Sequence, residues 1–184
     1  MRNYFFTSIL LFFSHIAFGQ DKLIHFGIEN SNVYNFRFVN KIQDYSLTHS
    51  ALLFGLSSGN HSFFLGPEYT YLNKPIGDDS DHIKHSMLGG SFAYTYAHNL
   101  KKWNNVDLIF RFNYSVFQQQ VTDYKGTETV KSVIYENTVD LGLKKRFANK
   151  LYVYGSLGFG STNGFFLMVD KAEFSARVGF GYTF

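Results

Sequence analysis

Eight stretches of this chain alternate apolar residues with small or polar ones at a period of two, and one face of each stretch is almost purely Phe, Leu, Val, Ile and Tyr. In the first, Ile24, Phe26 and Ile28 oppose His25, Gly27 and Glu29, and the parity carries on through Tyr34, Phe36 and Phe38. Leu52, Phe54 and Leu56 form the second row. The third sets Phe63, Leu65, Tyr69 and Tyr71 against Phe64, Gly66, Glu68 and Thr70, with Pro67 interrupting it. The fourth sets Leu88, Phe92, Tyr94 and Tyr96 against Gly89, Ser91, Ala93 and Thr95. In the fifth, Val106, Leu108, Phe110, Phe112, Tyr114 and Val116 face away from Asp107, Arg111, Asn113 and Ser115. The sixth sets Tyr135, Val139, Leu141 and Leu143 against Glu136, Thr138, Asp140, Gly142 and Lys144. The seventh sets Leu151, Val153, Leu157 and Phe159 against Tyr152, Tyr154, Ser156, Gly158 and Gly160. In the last, Phe174, Ala176, Val178, Phe180, Tyr182 and Phe184 oppose Glu173, Ser175, Arg177, Gly179, Gly181 and Thr183.

Period two means extended chain, and the abundance of Phe and Tyr with only 2 Pro agrees with it. The connections then alternate in length. Those at 58–60, 98–105 and 148–150 are short, whereas those at 40–49, 73–83, 118–133 and 161–171 are longer and polar. Tight turns at one end and projecting loops at the other are the signature of an up-and-down closed barrel. An all-β, eight-stranded, antiparallel barrel is the predicted fold.

Size decides which face is inside. A closed sheet of eight strands encloses only enough space for side chains to fill, so the face rich in Gly, Ser, Thr and Ala belongs inside. The Phe, Leu, Val and Tyr rows then lie outside, where in water they would form an apolar patch far beyond the roughly 400 Å² a soluble surface tolerates. They face lipid instead, and closure becomes compulsory, because an open edge in hydrocarbon leaves backbone groups unpaired. The predicted barrel is therefore transmembrane.

The remainder of the chain excludes other classes. The length of 184 residues fits one domain. A net charge of +3, with no basic run interleaved with aromatics, gives no nucleic-acid surface. The absence of cysteine removes thiolate metal sites and nucleophiles. Arg2, the apolar run from Tyr4 to Phe13, and the small residues of Ala17-Phe18-Gly19 before Gln20 read as a secretory signal peptide over 1–19, leaving a barrel over 20–184. The run is too short for a spanning helix, and no later segment approaches one.

With the signal and the closing Gly179-Phe180-Gly181-Tyr182-Thr183-Phe184 in view, the chain resembles the small outer-membrane β-barrels of the OmpX and OmpA-barrel type, and more closely the barrel-domain proteins of Bacteroidota. The resemblance implies an outer-membrane location and recognition of the closing aromatics Tyr182 and Phe184 by the barrel insertion machinery. It implies outer-membrane lipid as surroundings and no cofactor.

Within the lumen, Glu29, Glu68, Arg111, Asp140 and Arg177 fall at similar depths once strand ends are aligned. Two cations facing three carboxylates in so narrow a space read as a structural network rather than an ion path. Catalytic and metal sites find little support. His49-Ser50 and His85-Ser86 sit near the loop end, but adjacent strand residues point to opposite faces, so neither pair joins a nucleophile to its base. Asp78, Asp79, Asp81 and His82 make an acidic loop without the Gly and distal Glu of a calcium site. Trp103 sits in a short turn, where an interfacial aromatic belongs. In the last long loop, Phe165, Phe166, Leu167 and Met168 are apolar, a candidate contact for a protein or lipid partner. Pro67 predicts a bulge or an unpaired carbonyl in its strand.

The function these residues support is a non-enzymatic outer-membrane barrel with a filled polar lumen, serving envelope structure or surface interaction through its long loops. The alternatives are a small barrel that binds or passes a hydrophobic ligand, and an accessory subunit of a secretion or uptake complex.

Overall fold

A computed structural model describes residues 22–36, 45–72, 86–122, 129–148, 150–162 and 172–184. The chain forms eight strands: β1 (Lys22–Phe36), β2 (Tyr45–Ser58), β3 (His61–Leu72), β4 (Ser86–Asn99), β5 (Val106–Thr122), β6 (Thr129–Arg146), β7 (Leu151–Thr162) and β8 (Ala172–Thr183). Each pairs antiparallel with its sequence neighbour, and β8 returns to pair with β1, closing the sheet as a barrel. The closing ladder runs from His25 opposite Thr183 to Phe36 opposite Ala172. The region read as a signal peptide, the acidic loop with Asp78 and His82, His85, and Phe165, Phe166, Leu167 and Met168 lie outside the described residues.

The three short turns all lie at one end. Gly59 (φ 56°), Asn105 (φ 57°) and Lys150 (φ 65°) each take the left-handed backbone that a tight reversal needs. At the other end the strands run longer than the polar composition of their connections implies. Gln118 and Val133, read as loop boundaries, are a cross-strand pair, and the β5–β6 ladder continues to Thr122 opposite Thr129. His49, read at a loop edge, lies within β2 opposite Thr70.

The face assignment is unambiguous. Leu88 is 71% exposed, whereas Thr138, Asp140 and Glu173 are 0% exposed. Phe54, Leu65, Leu141, Leu157, Val178 and Phe180 all stand on the outside of the barrel. The described exterior is therefore apolar and the interior polar, the inverse of a soluble barrel, and the outer face meets lipid.

The interior is not uniformly small. Phe64, Phe117, Tyr152 and Tyr154 point inward, and glycines make room for them. A Cβ on Gly55 would lie 2.5 Å from the Phe64 ring, one on Gly89 2.5 Å from Phe117, and one on Gly179 2.3 Å from Tyr154. Large and small residues thus complement each other across neighbouring strands. They also stratify the lumen. Leu47, Met87, Phe117 and Ile134 form an apolar cluster toward the loop end. Toward the turn end lie Ala51, Leu53, Phe64 and Ala93, and beside them Ile109, Tyr152 and Tyr154. Glu29, Arg111, Asp140 and Arg177 occupy the space between.

Pro67 produces no bulge. Ala51 pairs with Glu68 and Phe54 with Leu65 in unbroken register, but the two intervening pairs of the β2–β3 ladder are missing. Proline supplies no N–H there, and the Leu52 carbonyl crowds Gly66 so closely that a Cβ at 66 would lie 1.6 Å from it.

Because Phe180 is 56% exposed on the lipid face of the closing strand, Phe180→Arg is expected to destabilise the folded barrel by up to about 2–4 kcal/mol at the bilayer midplane, and less toward an interface. Urea unfolding from phospholipid vesicles measures it, and stability equal to that of the parent chain contradicts the face assignment.

Candidate functional site

The inward parity of β1, β5, β6 and β8 delivers Glu29, Arg111, Asp140 and Arg177 to one level of the lumen, where they form a continuous ion-paired chain. Arg177 is its centre. Its Nε lies 2.8 Å from Asp140 Oδ2, and its Nη1 donates to Glu29 Oε1 at 3.1 Å and to Ser31 Oγ at 3.0 Å. Its Nη2 donates to Thr138 Oγ1 at 3.0 Å. The planar guanidinium thus spans strands that are not neighbours, a reach that the point charge of a lysine does not match.

Arg111 takes the other oxygen of Glu29, and the Tyr154 hydroxyl donates to that same oxygen. Arg111 also donates to Asn113 Oδ1 at 2.6 Å and to the Tyr154 hydroxyl at 2.8 Å. Its guanidinium carbon lies 5.0 Å from the Tyr154 ring centroid and 5.6 Å from that of Phe64, so the apolar layer beneath serves as its platform. Asp140 receives Asn113 Nδ2 and Ser175 Oγ, each at 2.9 Å. Its carboxylate occupies the space a side chain at 158 would need, since a Cβ there would lie 1.8 Å from Oδ1.

Glu68, the fifth residue read from the sequence, belongs to a second group. It meets His49 Nδ1 at 2.7 Å and accepts from Ser115 Oγ at 2.8 Å. The other ring nitrogen of His49 lies 3.4 Å from Glu136 Oε2. The composition puts His49 at the edge of the 40–49 connection near the loop end, but the structure buries it at 3% exposure. Its register explains this, because His49 opposes Thr70 and shares the inward parity of Ala51 and Leu53. Glu136 and Glu173 were recognised as inward but not as part of the charged layer. Both are buried in it, and their carboxyl groups neighbour each other there. Among the described residues the charged layer therefore sets five acids, Glu29, Glu68, Glu136, Asp140 and Glu173, against Arg111, Arg177 and His49, and Asp107 is a sixth buried acid toward the turn end.

The arrangement does not make a nucleophilic site. Thr70 Oγ1 lies 3.1 Å from His49 Nδ1, but Glu68 shares that nitrogen and Thr70 is 0% exposed, so a substrate has no approach. Ser50, the sequence neighbour of His49, faces the other way and accepts a hydrogen bond from Asn30 Nδ2 at 3.1 Å. Among the described residues no three His, Asp or Glu side chains are placed to hold a metal ion. At the turn end Tyr182 and Phe184 pack edge to face with ring centroids 5.0 Å apart, and the Phe184 N–H donates to the Ile24 carbonyl at 2.8 Å. Trp103 is 56% exposed in the β4–β5 turn.

Solved structures share this architecture. The fold is that of the small outer-membrane barrels. Neisserial surface protein A aligns over 88% of this chain and 97% of its own, with a TM-score of 0.65 at 7% identity. Ail, the attachment invasion locus protein of Yersinia pestis, solved in complex with the heparin analogue sucrose octasulfate, aligns over 90% of this chain and 100% of its own, with a TM-score of 0.56 at 12% identity. At such identities the likeness is one of fold. No family model and no curated protein matches the sequence.

Because Arg177 serves two carboxylates, Arg177→Met leaves Asp140 and Glu29 short of a cation in a closed lumen, and a loss of about 3–5 kcal/mol is expected. Arg177→Lys should recover only part of it. Denaturant unfolding from vesicles checks both, and a loss below about 1 kcal/mol for the methionine variant, the range of an exposed pair, contradicts the network.

Proposed function

We propose that this chain is a non-enzymatic integral barrel of the outer membrane, of the Bacteroidota barrel-domain kind that its closing residues resemble. Its lumen is a structural core rather than a conduit, and its role is envelope structure or surface interaction through the loops. The observation that carries the reading is the charged layer itself. Glu29, Arg111, Asp140 and Arg177 are each at most 5% exposed and are bonded across the barrel, between apolar layers on either side. An aqueous path needs solvated, mobile charge at its narrowest point, and here the charges are held by one another.

In this reading Tyr182 and Phe184 are the features the insertion machinery recognises, and outer-membrane lipid surrounds the apolar rows. Phe165, Phe166, Leu167 and Met168 supply an apolar contact for a protein partner at the loop end. A second reading, binding of a hydrophobic ligand, has one observation in its favour. An apolar groove of about 930 Å³ runs along the outer surface between Phe54, Phe63 and Phe92, floored where Pro67 and Gly90 leave the sheet thin.

The folded chain is expected to fractionate with the outer membrane, to migrate faster unheated than boiled on denaturing gels, and to give no discrete conductance steps in planar bilayers. A soluble periplasmic pool contradicts the location, and unitary current steps that vanish with Arg177→Met would replace the structural core with a pore.

A further inference from the structure

The turn end of the barrel opens into a cavity of about 530 Å³ that the charged layer does not use. It lies on the far side of the aromatic floor, with Tyr152 forming part of its wall. Lys144, an inward-parity residue near the end of β6, lines it, and its ammonium sits 4.1 Å from the Tyr152 ring centroid. The acid and the imidazole of the cavity have partners of their own. Asp107 accepts from Arg146 at 2.9 Å and from Asn99 Nδ2 at 3.0 Å. His25 lies 2.7 Å from Ser57 Oγ and 3.1 Å from Thr183 Oγ1. Asp107 attracts Lys144 through space, yet no carboxylate among the described residues forms an ion pair with that ammonium. Arg146 and Lys150 add positive charge to the wall, against Asp107 as the one acidic side chain among its lining residues.

A cation held on an aromatic face inside a concave site, with amide and hydroxyl groups around it, is built to receive an anion. We propose that this vestibule binds a single phosphate or carboxylate group. Lys144 is the central contact, Arg146 and Lys150 add electrostatic attraction, and the amides of Asn60 and Asn105 on the same wall can hydrogen-bond the remaining oxygens. The volume lies within the range of small-ligand sites, and Leu23, Phe147 and Leu151 give the body of such a ligand an apolar wall. Two sources carry this chemistry: a soluble anionic metabolite, or the head group of an anionic phospholipid reaching round the barrel rim. That the cavity opens to the periplasm rests on the outer-membrane reading; the site itself does not.

The test is calorimetric titration of inorganic phosphate into the folded barrel in maltoside micelles, at a constant ionic strength of about 0.15 M to screen diffuse attraction. Saturable binding of one phosphate per barrel is expected. It should weaken about tenfold or more in Lys144→Met, recover in Lys144→Arg, and be unchanged in Lys101→Met, whose side chain is exposed in the β4–β5 turn outside the cavity. Heat-modified migration verifies that each variant is folded. Repeating the titration in nanodiscs identifies the source. Weaker phosphate binding in phosphatidylglycerol discs than in phosphatidylcholine discs marks a lipid head group as the occupant, and equal binding marks a soluble one. Absence of saturable binding, an unaffected Lys144→Met, or an equal loss in Lys101→Met overturns the proposal, the last because it reports rim charge rather than a site.

Discussion

In hydrocarbon an unpaired N–H or C=O has no water to bond, and this single constraint orders the whole molecule. It forces the eight strands to close, so β8 must return to β1, and it leaves a lumen only as wide as its own side chains. The one stretch where the ladder lapses shows how little slack there is. At Gly66 and Pro67 two pairs are missing from one edge, yet the other edge of β3 stays paired, with Gly66 opposite Ser91 and Pro67 opposite Gly90. The sheet accommodates a proline there because one side of the strand holds while the other gives way.

A narrow, closed lumen then dictates its own chemistry. Buried ions of this kind are poor sources of net stability, since their desolvation offsets most of their attraction. Their value here is positional. Once Asp140 is fixed by Asn113 and Ser175, and Glu29 by Tyr154, a guanidinium is held in one place between them. Gly158 belongs to the same logic, because the Asp140 carboxylate fills the volume its side chain would take. An apolar filling of the same volume would leave the inner faces free to slide by two residues without penalty. The polar network makes such a slip costly, because hydrogen bonds that join several strands at one level would be lost together.

Much of this could be read directly from the chain, and the parts that could not have physical causes. Parity along a strand is strictly two, so Glu29, Arg111, Asp140 and Arg177 declared themselves inward without any knowledge of their neighbours. Depth is another matter, because it depends on register around a closed sheet. Glu68 therefore shared the predicted layer but met His49, a residue assigned by composition to a loop edge. Glu136 was recognised as inward yet not linked to His49, which approaches it from a strand that is not its neighbour. Composition alone shortens the hairpin of β5 and β6, because Gln and Thr resemble loop residues, yet the backbone ladder continues beyond the apolar rows. The aromatic filling could be seen as inward residues. Its partnership with Gly55, Gly89 and Gly179 could not, since it joins positions on different strands.

The placement of Arg177 connects these levels. It lies on the strand that closes the barrel, and its two carboxylates come from opposite sides of that closure: Glu29 from β1, across the final seam, and Asp140 from β6, two strands back. The backbone ladder of β1 and β8 could form in more than one register if only hydrogen bonds mattered, because each shift by two residues preserves the faces. The side chains remove that freedom. In the native register Ser31 stands opposite Arg177 and its hydroxyl oxygen accepts from the same guanidinium that holds Glu29, while Gly179 stands opposite Glu29 and admits the Tyr154 ring. A slip of two would set Glu29 opposite Arg177 and so keep that ion pair, but it would carry Ser31 out of reach and move Glu29 two residues along β8 from Gly179 and from the Tyr154 hydroxyl whose hydrogen bond it accepts. The charged layer therefore helps to key the register of the seam: closure is demanded by lipid, and the native closure is the one in which Arg177 reaches Ser31 while Glu29 keeps the Tyr154 hydroxyl.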